Sequence, residues 1–328
     1  MSSTALTVLV PVLFVVLLGY AAGRAKAFDI DQVAGINELA LDFALPASLF
    51  VGIVTIPRTQ LTQDVLFILV ALAALLGIYL LAFAVALLVL RLSPSAAALF
   101  ALGAAFPSAP FFGPAVLGGL FGQSSALAIA STAIIANLIL LPITVVVLEA
   151  AQRVRGRNHE KLPSPADKNE AIEEAMLTVV GKSVSYAFKR PYVWAPVVAL
   201  ALVLIGIQVP SLINSMLNLI GETTSGVSLF VSGLLLAAYS LKLNEVVAIN
   251  AAFKSIVQPA LMLGLVGFVS IGNPLAGEAV VAAALPSAVI VPMLAGQDGT
   301  YQAEAGSTMV LTVMLMMVVV PLFMLLAA

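Results

Sequence analysis

Three ionisable residues stand inside otherwise apolar runs of this chain: Glu38, Asp42 and Lys254. A charge at bilayer depth is costly, so such residues are as a rule paired or lie on a path for substrate or ions. Lys254 has Asn250 and Gln258 four residues to either side, which puts all three on one helical face. Its ammonium is placed either to neutralise a substrate carboxylate or to snorkel toward the headgroups. Glu38 and Asp42, also four apart, suit a proton or cation site, to which Gln258 adds a third candidate, unless Glu38 is simply solvated at the interface. Glu304 opens an apolar run and reads as solvated. Asn137 and Asn214 read equally well as interhelical hydrogen-bond partners and as ligands.

Much other chemistry lacks its parts. Cysteine is absent and His159 is the only histidine, which excludes disulfides, thiolate metal sites and histidine clusters. No cofactor is expected, and coupling to protons or sodium stays open. An intramembrane enzyme would need a nucleophile with its base, or a metal, and no His or Cys lies in any apolar segment. The 14 basic and 16 acidic residues leave a net charge of -2, which makes nucleic acid an unsuitable partner.

Candidate residues such as these have to be positioned by elements that live in lipid. The 328 residues are 62% hydrophobic and 9% charged, with a mean hydropathy of +1.15. A soluble domain carries roughly 25% charged residues, so this chain is expected to be an integral membrane protein in contact with lipid. A crossing needs about 20 mainly apolar residues. Ten such segments follow one another, at 4–22, 33–54, 65–90, 96–121, 124–150, 191–209, 222–240, 245–270, 277–296 and 302–327. None shows the ten-residue alternation of a membrane barrel strand. No Lys or Arg precedes the first segment, so it is expected to remain as a span rather than to be cleaved as a leader.

Basic residues orient the spans, because short cytoplasmic loops are rich in Lys and Arg. With the N-terminus outside, the inner loops hold Arg24, Lys26, Arg91, eight basic residues from Arg153 to Arg190, and Lys242; the outer loops hold Arg58 alone. Both termini are therefore expected outside, with 151–190 in the cytoplasm. That hydrophilic stretch divides the chain into a five-segment half at 1–150, the loop at 151–190, and a second half at 191–328. Its arginines read as a topology anchor, with an anionic-lipid or RNA patch as the alternative. Apolar residues at helical spacing over 172–188 predict an amphipathic helix on the cytoplasmic face.

The halves resemble one another. A-A-F-P-S-A at 104–109 returns as A-A-L-P-S-A at 283–288, an offset of 179, which also separates Pro142 from Pro321. S-L-F-V at 48–51 returns at 228–231. Five spans is an odd number, so the second half must be inverted, the architecture of secondary transporters. Pro107 and Pro286 should break the fourth and ninth spans, with Pro110, Gly113, Pro114 and Pro292 extending the disruption. Broken backbone cannot face lipid. The first turn beyond each break is expected to offer unpaired N–H groups to an anion, which assigns substrate binding to Pro107, Ser108, Ala109, Pro286, Ser287 and Ala288, with Lys254 beside them. The competing reading has the two serines bonding back to the preceding turn. A channel would be built from rings of polar residues around symmetric subunits, not from a repeat within one chain.

V-P-V-L-F-V-V-L-L-G-Y-A-A-G-R at 10–24, F-A-L-P-A-S-L-F at 43–50, Lys254 to Pro259 before a long apolar run, and Leu285 through Ala295, Asp298, Ala305, Ser307 and Thr308 carry a family resemblance. The whole chain resembles the auxin efflux carriers, within the larger group that holds the sodium and bile acid symporters. F-P-S-A-P-F-F-G-P at 106–114 is similar to the bacterial malonate-transporter branch. Ser108 departs from the asparagine usual there, and hydroxyl and amide differ in donor count. The resemblance implies an all-α fold of ten transmembrane helices as two inverted five-helix repeats with broken, crossing helices 4 and 9. It further implies a scaffold of spans 1, 2, 6 and 7, through which a homodimer could form, and a moving unit of spans 3 to 5 and 8 to 10. The function so implied is alternating-access transport of a small organic anion, a mono- or dicarboxylate of malonate-like or auxin-like type, across the bacterial inner membrane. A sodium-coupled symporter of the bile-acid type is the alternative, and an anion channel a more distant one.

Overall fold

A computed structural model of the protein describes residues 2–55, 58–157, 191–239 and 241–327. Among the described residues the chain is helical throughout, with one isolated backbone bridge and no strand. The helices are α1 (Ser2–Arg24), α2 (Ile30–Glu38), α3 (Leu45–Val54), α4 (Arg58–Leu88), α5 (Pro94–Ala105), α6 (Ala109–Phe121), α7 (Ala126–Ile135) and α8 (Leu141–Arg157). After the gap come α9 (Pro191–Ile205), α10 (Ser211–Gly221), α11 (Thr224–Leu236), α12 (Glu245–Ala252), α13 (Gln258–Phe268), α14 (Leu275–Ala284), α15 (Ile290–Asp298) and α16 (Gln302–Leu326). Wide π-type turns at Leu39–Ala44, Ala136–Leu140 and Phe253–Val257 join α2 to α3, α7 to α8 and α12 to α13 without ending the rod.

Seven of the resulting rods are long and apolar enough to cross a membrane. The fourth and ninth expected segments each come as two short helices, and the sixth as the 15-residue α9. The seventh begins earlier than its expected start at 222: α10 and α11 form one rod from Ser211, whose first half is amphipathic and carries exposed Leu212, Met216 and Leu219. Asn214 and Asn218 within that half lower its apolar content, which is why hydropathy alone passes over it. α8 runs to Arg157, past the expected boundary at 150. The amphipathic helix expected at 172–188, and His159, lie outside the described residues.

Large apolar side chains remain exposed around the outside, among them Phe14, Leu80, Phe268, Met314 and Val318. In a membrane protein these positions face lipid, because lipid tails leave no reason to hide them. The interior is held by α5 and α14, which are buried almost all round. A helix apolar on every face belongs at such a place. α5 packs on α4 and α8, and α14 on α13 and α16.

α1 and α11 approach until their backbones touch. A Cβ at Gly19 would stand 2.1 Å from the Phe230 carbonyl oxygen, and one at Gly233 2.1 Å from that of Val16. Gly23, four residues after Gly19, meets Ala237 and Leu234 in the same seam. Small residues four apart give membrane helices the dispersion contact that stands in for a hydrophobic driving force. Gly19→Ala or Gly233→Ala should therefore destabilise the protein by about 1–3 kcal/mol, the usual range for overpacking. Gly264→Ala, where nothing lies within 4 Å of the new methyl, should melt at or slightly above the parent temperature. Thermal unfolding of the three variants in detergent checks the contrast.

Candidate functional site

The site begins with two prolines. Pro107 and Pro286 have no N–H to continue a helix, and each pushes the residue before it out of the helical region. Phe106 accordingly has φ -93° and ψ 101°, and Leu285 φ -62° and ψ 153°. α5 ends at Ala105 and α14 at Ala284, and the chain runs extended before α6 and α15 begin. The two extended stretches lie side by side and antiparallel. Ser108 N–H donates to the Pro286 carbonyl at 2.8 Å and Ala288 N–H to the Phe106 carbonyl at 3.1 Å, with Pro107 opposite Ser287.

This pairing is shifted by one residue from the sequence repeat. The repeat matches Pro107 to Pro286, an offset of 179, whereas the bridge sets Pro107 opposite Ser287, an offset of 180, with Ser108 bonded to Pro286 and Ala288 to Phe106. The residue between the two ladder bonds turns its amide away from the partner strand, and proline, lacking N–H, fits that place. Ser287 opposite it does have an N–H, which donates instead to Thr312 Oγ1 at 3.1 Å.

The first turns beyond the breaks are not equivalent, contrary to the expectation of free amides on both. In α6 the Ala109 N–H bonds the Pro107 carbonyl, and those of Phe111 and Phe112 bond the Ser108 carbonyl. Pro110 starts α6, where a missing donor costs nothing, instead of prolonging the break, and Pro114 lies within the helix. In α15 the Ala288 and Val291 amides are bonded, while those of Val289 and Ile290 have no backbone acceptor. The free amides of the crossing thus belong to α15. Ser108, 1% exposed, keeps its Oγ without a partner, so it does not bond back to the preceding turn.

Lys254 does not snorkel. It is 1% exposed, sits in the π turn between α12 and α13, and its Nζ donates to the Ala283 carbonyl at 3.0 Å, at the end of α14. Nζ also donates to Gln258 Oε1. The other end of that amide, Gln258 Nε2, donates to the Ala105 carbonyl at 2.9 Å, the last residue of α5. Asn250, one turn before Lys254, donates to the Phe100 carbonyl at 3.1 Å and lies against Tyr301 Oη at 2.8 Å. A Cβ at Gly103 would come within 3.2 Å of the Asn250 amide nitrogen, so glycine there gives the side chain its room. The three residues expected to share a face do so, and all three address carbonyls of the interrupted helices.

The acidic candidates stand elsewhere. Glu38 is exposed and Asp42 half-buried, on the α2–α3 rod that packs against α9 and α10. Gln258, on α13, belongs to the group of α4 and α14. Among the described residues no group of His, Cys, Asp or Glu could hold a metal ion. Glu304 lies 3.3 Å from Asn244 Nδ2. Asn137 donates to the Ala133 carbonyl of its own helix.

Two participants went unmarked in the sequence. Glu278, in the first turn of α14, is 1% exposed and takes a hydrogen bond from Ser124 Oγ at 2.7 Å. It stands second in its apolar segment, where an interfacial position would explain it, yet an ionisable residue within such a segment is the same signal that marks Lys254. Thr312 carries no such signal, since its role comes from facing Ser287 across the fold. Thr312→Val should leave the Ser287 N–H without an acceptor and cost about 1–3 kcal/mol, while Thr312→Ser should keep the parent stability; melting temperatures in detergent decide between them.

Comparison with known proteins places the chain among transporters. The family described as membrane transport protein matches residues 4–324. The uncharacterised transporter YfdV of Escherichia coli K12 is 31% identical over 318 residues, which is 96% of this chain and 95% of the relative. A Rhizobium meliloti protein, named as a candidate malonate transporter, is 22% identical over 307 residues, 93% of this chain and 90% of its own. With apolar helices throughout and a family match over nearly its whole length, the chain belongs to the membrane transport protein family of the auxin efflux carriers, a multi-pass membrane transporter and not an enzyme.

Proposed function

We propose that the protein is a secondary carrier that moves a small organic anion across the bacterial inner membrane by alternating access. The reading takes the rods as ten spans in two inverted five-helix halves, with both termini outside and the 151–190 loop in the cytoplasm. The observation that carries it is the backbone pairing of two interrupted helices at a buried place, Phe106 to Ser108 against Pro286 to Ala288. Interrupted helices near the midplane are where such carriers bind substrate, because only there does irregular backbone find protein or water instead of lipid.

The chemistry available at the crossing favours an anion. The free Val289 and Ile290 amides at the start of α15, the unpartnered Ser108 hydroxyl and the Lys254 ammonium all offer donors or positive charge. Small residues, Ala109 and Ala288, leave the backbone approachable. The name of the Rhizobium meliloti relative makes malonate the first substrate to try. A mobile unit of the helices around α5 and α14, rocking against a scaffold formed by α1, α2–α3, α9 and α10–α11, would expose the crossing to each side in turn. The scaffold would also be the face for a homodimer.

A thermal-shift screen against malonate, malate, other short carboxylates and indole acids tests the substrate class. A ligand at 100 times its Kd stabilises by about 2.7 kcal/mol. Ser108→Leu and Ser287→Leu are expected to fold and to lose that stabilisation; retention of the full shift in both would remove the crossing as the site. The orientation is tested separately by single cysteines at positions 2, 159 and 328 of this cysteine-free chain. A membrane-impermeant reagent should label the two ends in intact cells and leave position 159 unlabelled.

A further inference from the structure

Two charged side chains are fully buried among the described residues, Lys254 and Glu278, and both act on α14. Glu278 lies in its first turn, and Lys254 holds the Ala283 carbonyl near its end. Each therefore faces the pole of the helix that its charge complements. The Lys254 end serves a second helix as well. α5 stops at Ala105 beside this place, and the Ala105 carbonyl is taken by Gln258, whose Oε1 accepts from Lys254. Two helix C-termini so converge on one ammonium, directly from α14 and through an amide from α5.

Convergent carbonyl ends in a place closed to bulk water form, by their electrostatics, a site for a small cation; half-helix C-termini coordinate sodium in other carriers for this reason. Here a side chain fills that place. Carried across at the repeat offset of 179, Lys254 and Gln258 fall on Leu75 and Tyr79, and Tyr79 bonds Thr144 at 2.9 Å. A single charge therefore serves both halves of the crossing.

We propose that the Lys254 ammonium is a resident cation, standing where the carbonyl ends of the interrupted helices would otherwise draw a monovalent metal ion. The protein then needs no bound metal ion at the crossing, and removal of the charge opens a sodium or lithium site bounded by the Ala105 and Ala283 carbonyls and Gln258 Oε1. The proposal rests on the carrier reading only in taking the crossing as the working part, and it assigns the coupling charge to the protein itself. Lys254 acts here as a positioning residue for the two half-helix ends.

The test is the melting temperature of the purified, substrate-free full chain in equal concentrations of sodium, lithium, potassium and choline chloride. The parent protein and Lys254→Arg are expected to melt at one temperature in all four salts. Lys254→Ala, which leaves room for an ion, is expected to melt several degrees lower in choline and to recover in sodium or lithium. Loss of stability by a packing defect alone would be equal in all four salts, and that result overturns the proposal. So does sodium-specific stabilisation of the parent protein, or a Lys254→Ala variant that melts like the parent. If Lys254→Ala cannot be purified, the parent series decides, since indifference to the cation upholds the resident charge and a sodium effect overturns it. No substrate enters these measurements, so their failure leaves the carrier reading intact, and failure of the substrate screen leaves this proposal intact.

Discussion

The bonds from Ser108 N–H to the Pro286 carbonyl and from Ala288 N–H to the Phe106 carbonyl hold together two stretches of chain that lipid would not tolerate separately. An unpaired backbone group in hydrocarbon costs several kcal/mol, so a helix can be interrupted inside a membrane protein only where something else completes its bonding. Each interrupted helix here completes the other. That requirement draws α5 and α14 to the centre, buries both almost entirely, and leaves the unbroken rods to surround them.

The polar side chains of the interior follow from the same interruption. Four carbonyls are orphaned at the end of any helix. Lys254 and Gln258 reach the Ala283 and Ala105 carbonyls at the ends of α14 and α5, and Asn250, one turn earlier on the rod of α12 and α13, reaches the Phe100 carbonyl within α5. At the opposite pole of α14 Glu278 and Ser124 form the complementary pair. A buried charge is tolerated when its partners are built in, and here the partners are the helix ends themselves. The side-chain hydrogen bonds of Asn250, Lys254 and Gln258 are thus directed at the broken helices, while the seam of α1 and α11 is closed by glycine against backbone.

This division separates a tightly packed seam of small residues from a polar crossing. Close packing of the Gly19 and Gly233 kind resists sliding, since any displacement brings a backbone atom into contact. The crossing, by contrast, keeps two amides without a backbone acceptor and one buried hydroxyl without a partner. Groups left without protein partners at such a place are where a ligand with acceptor oxygens gains most.

Membrane residence and the sites of interruption were legible in the sequence, because each depends on composition or on a property local to a few residues. Proline breaks a helix wherever it stands in the interior, and a residue before proline is extended whatever surrounds it. The shared face of Asn250, Lys254 and Gln258 was legible for the same reason, as helix periodicity alone places them together. The start of α10 was not, because its first turns are amphipathic and hydropathy passes over them. Nor could the sequence tell whether Lys254 would snorkel or turn inward. Its stem permits both, and only the arrival of the Ala283 carbonyl and Gln258, the first of them 29 residues away, selects one. The one-residue shift at the crossing, the partnership of Ser287 with Thr312, and the confinement of free amides to α15 were decided by tertiary structure as well. Each is settled by which donor finds an acceptor across the fold, and a repeat read along the chain cannot supply that.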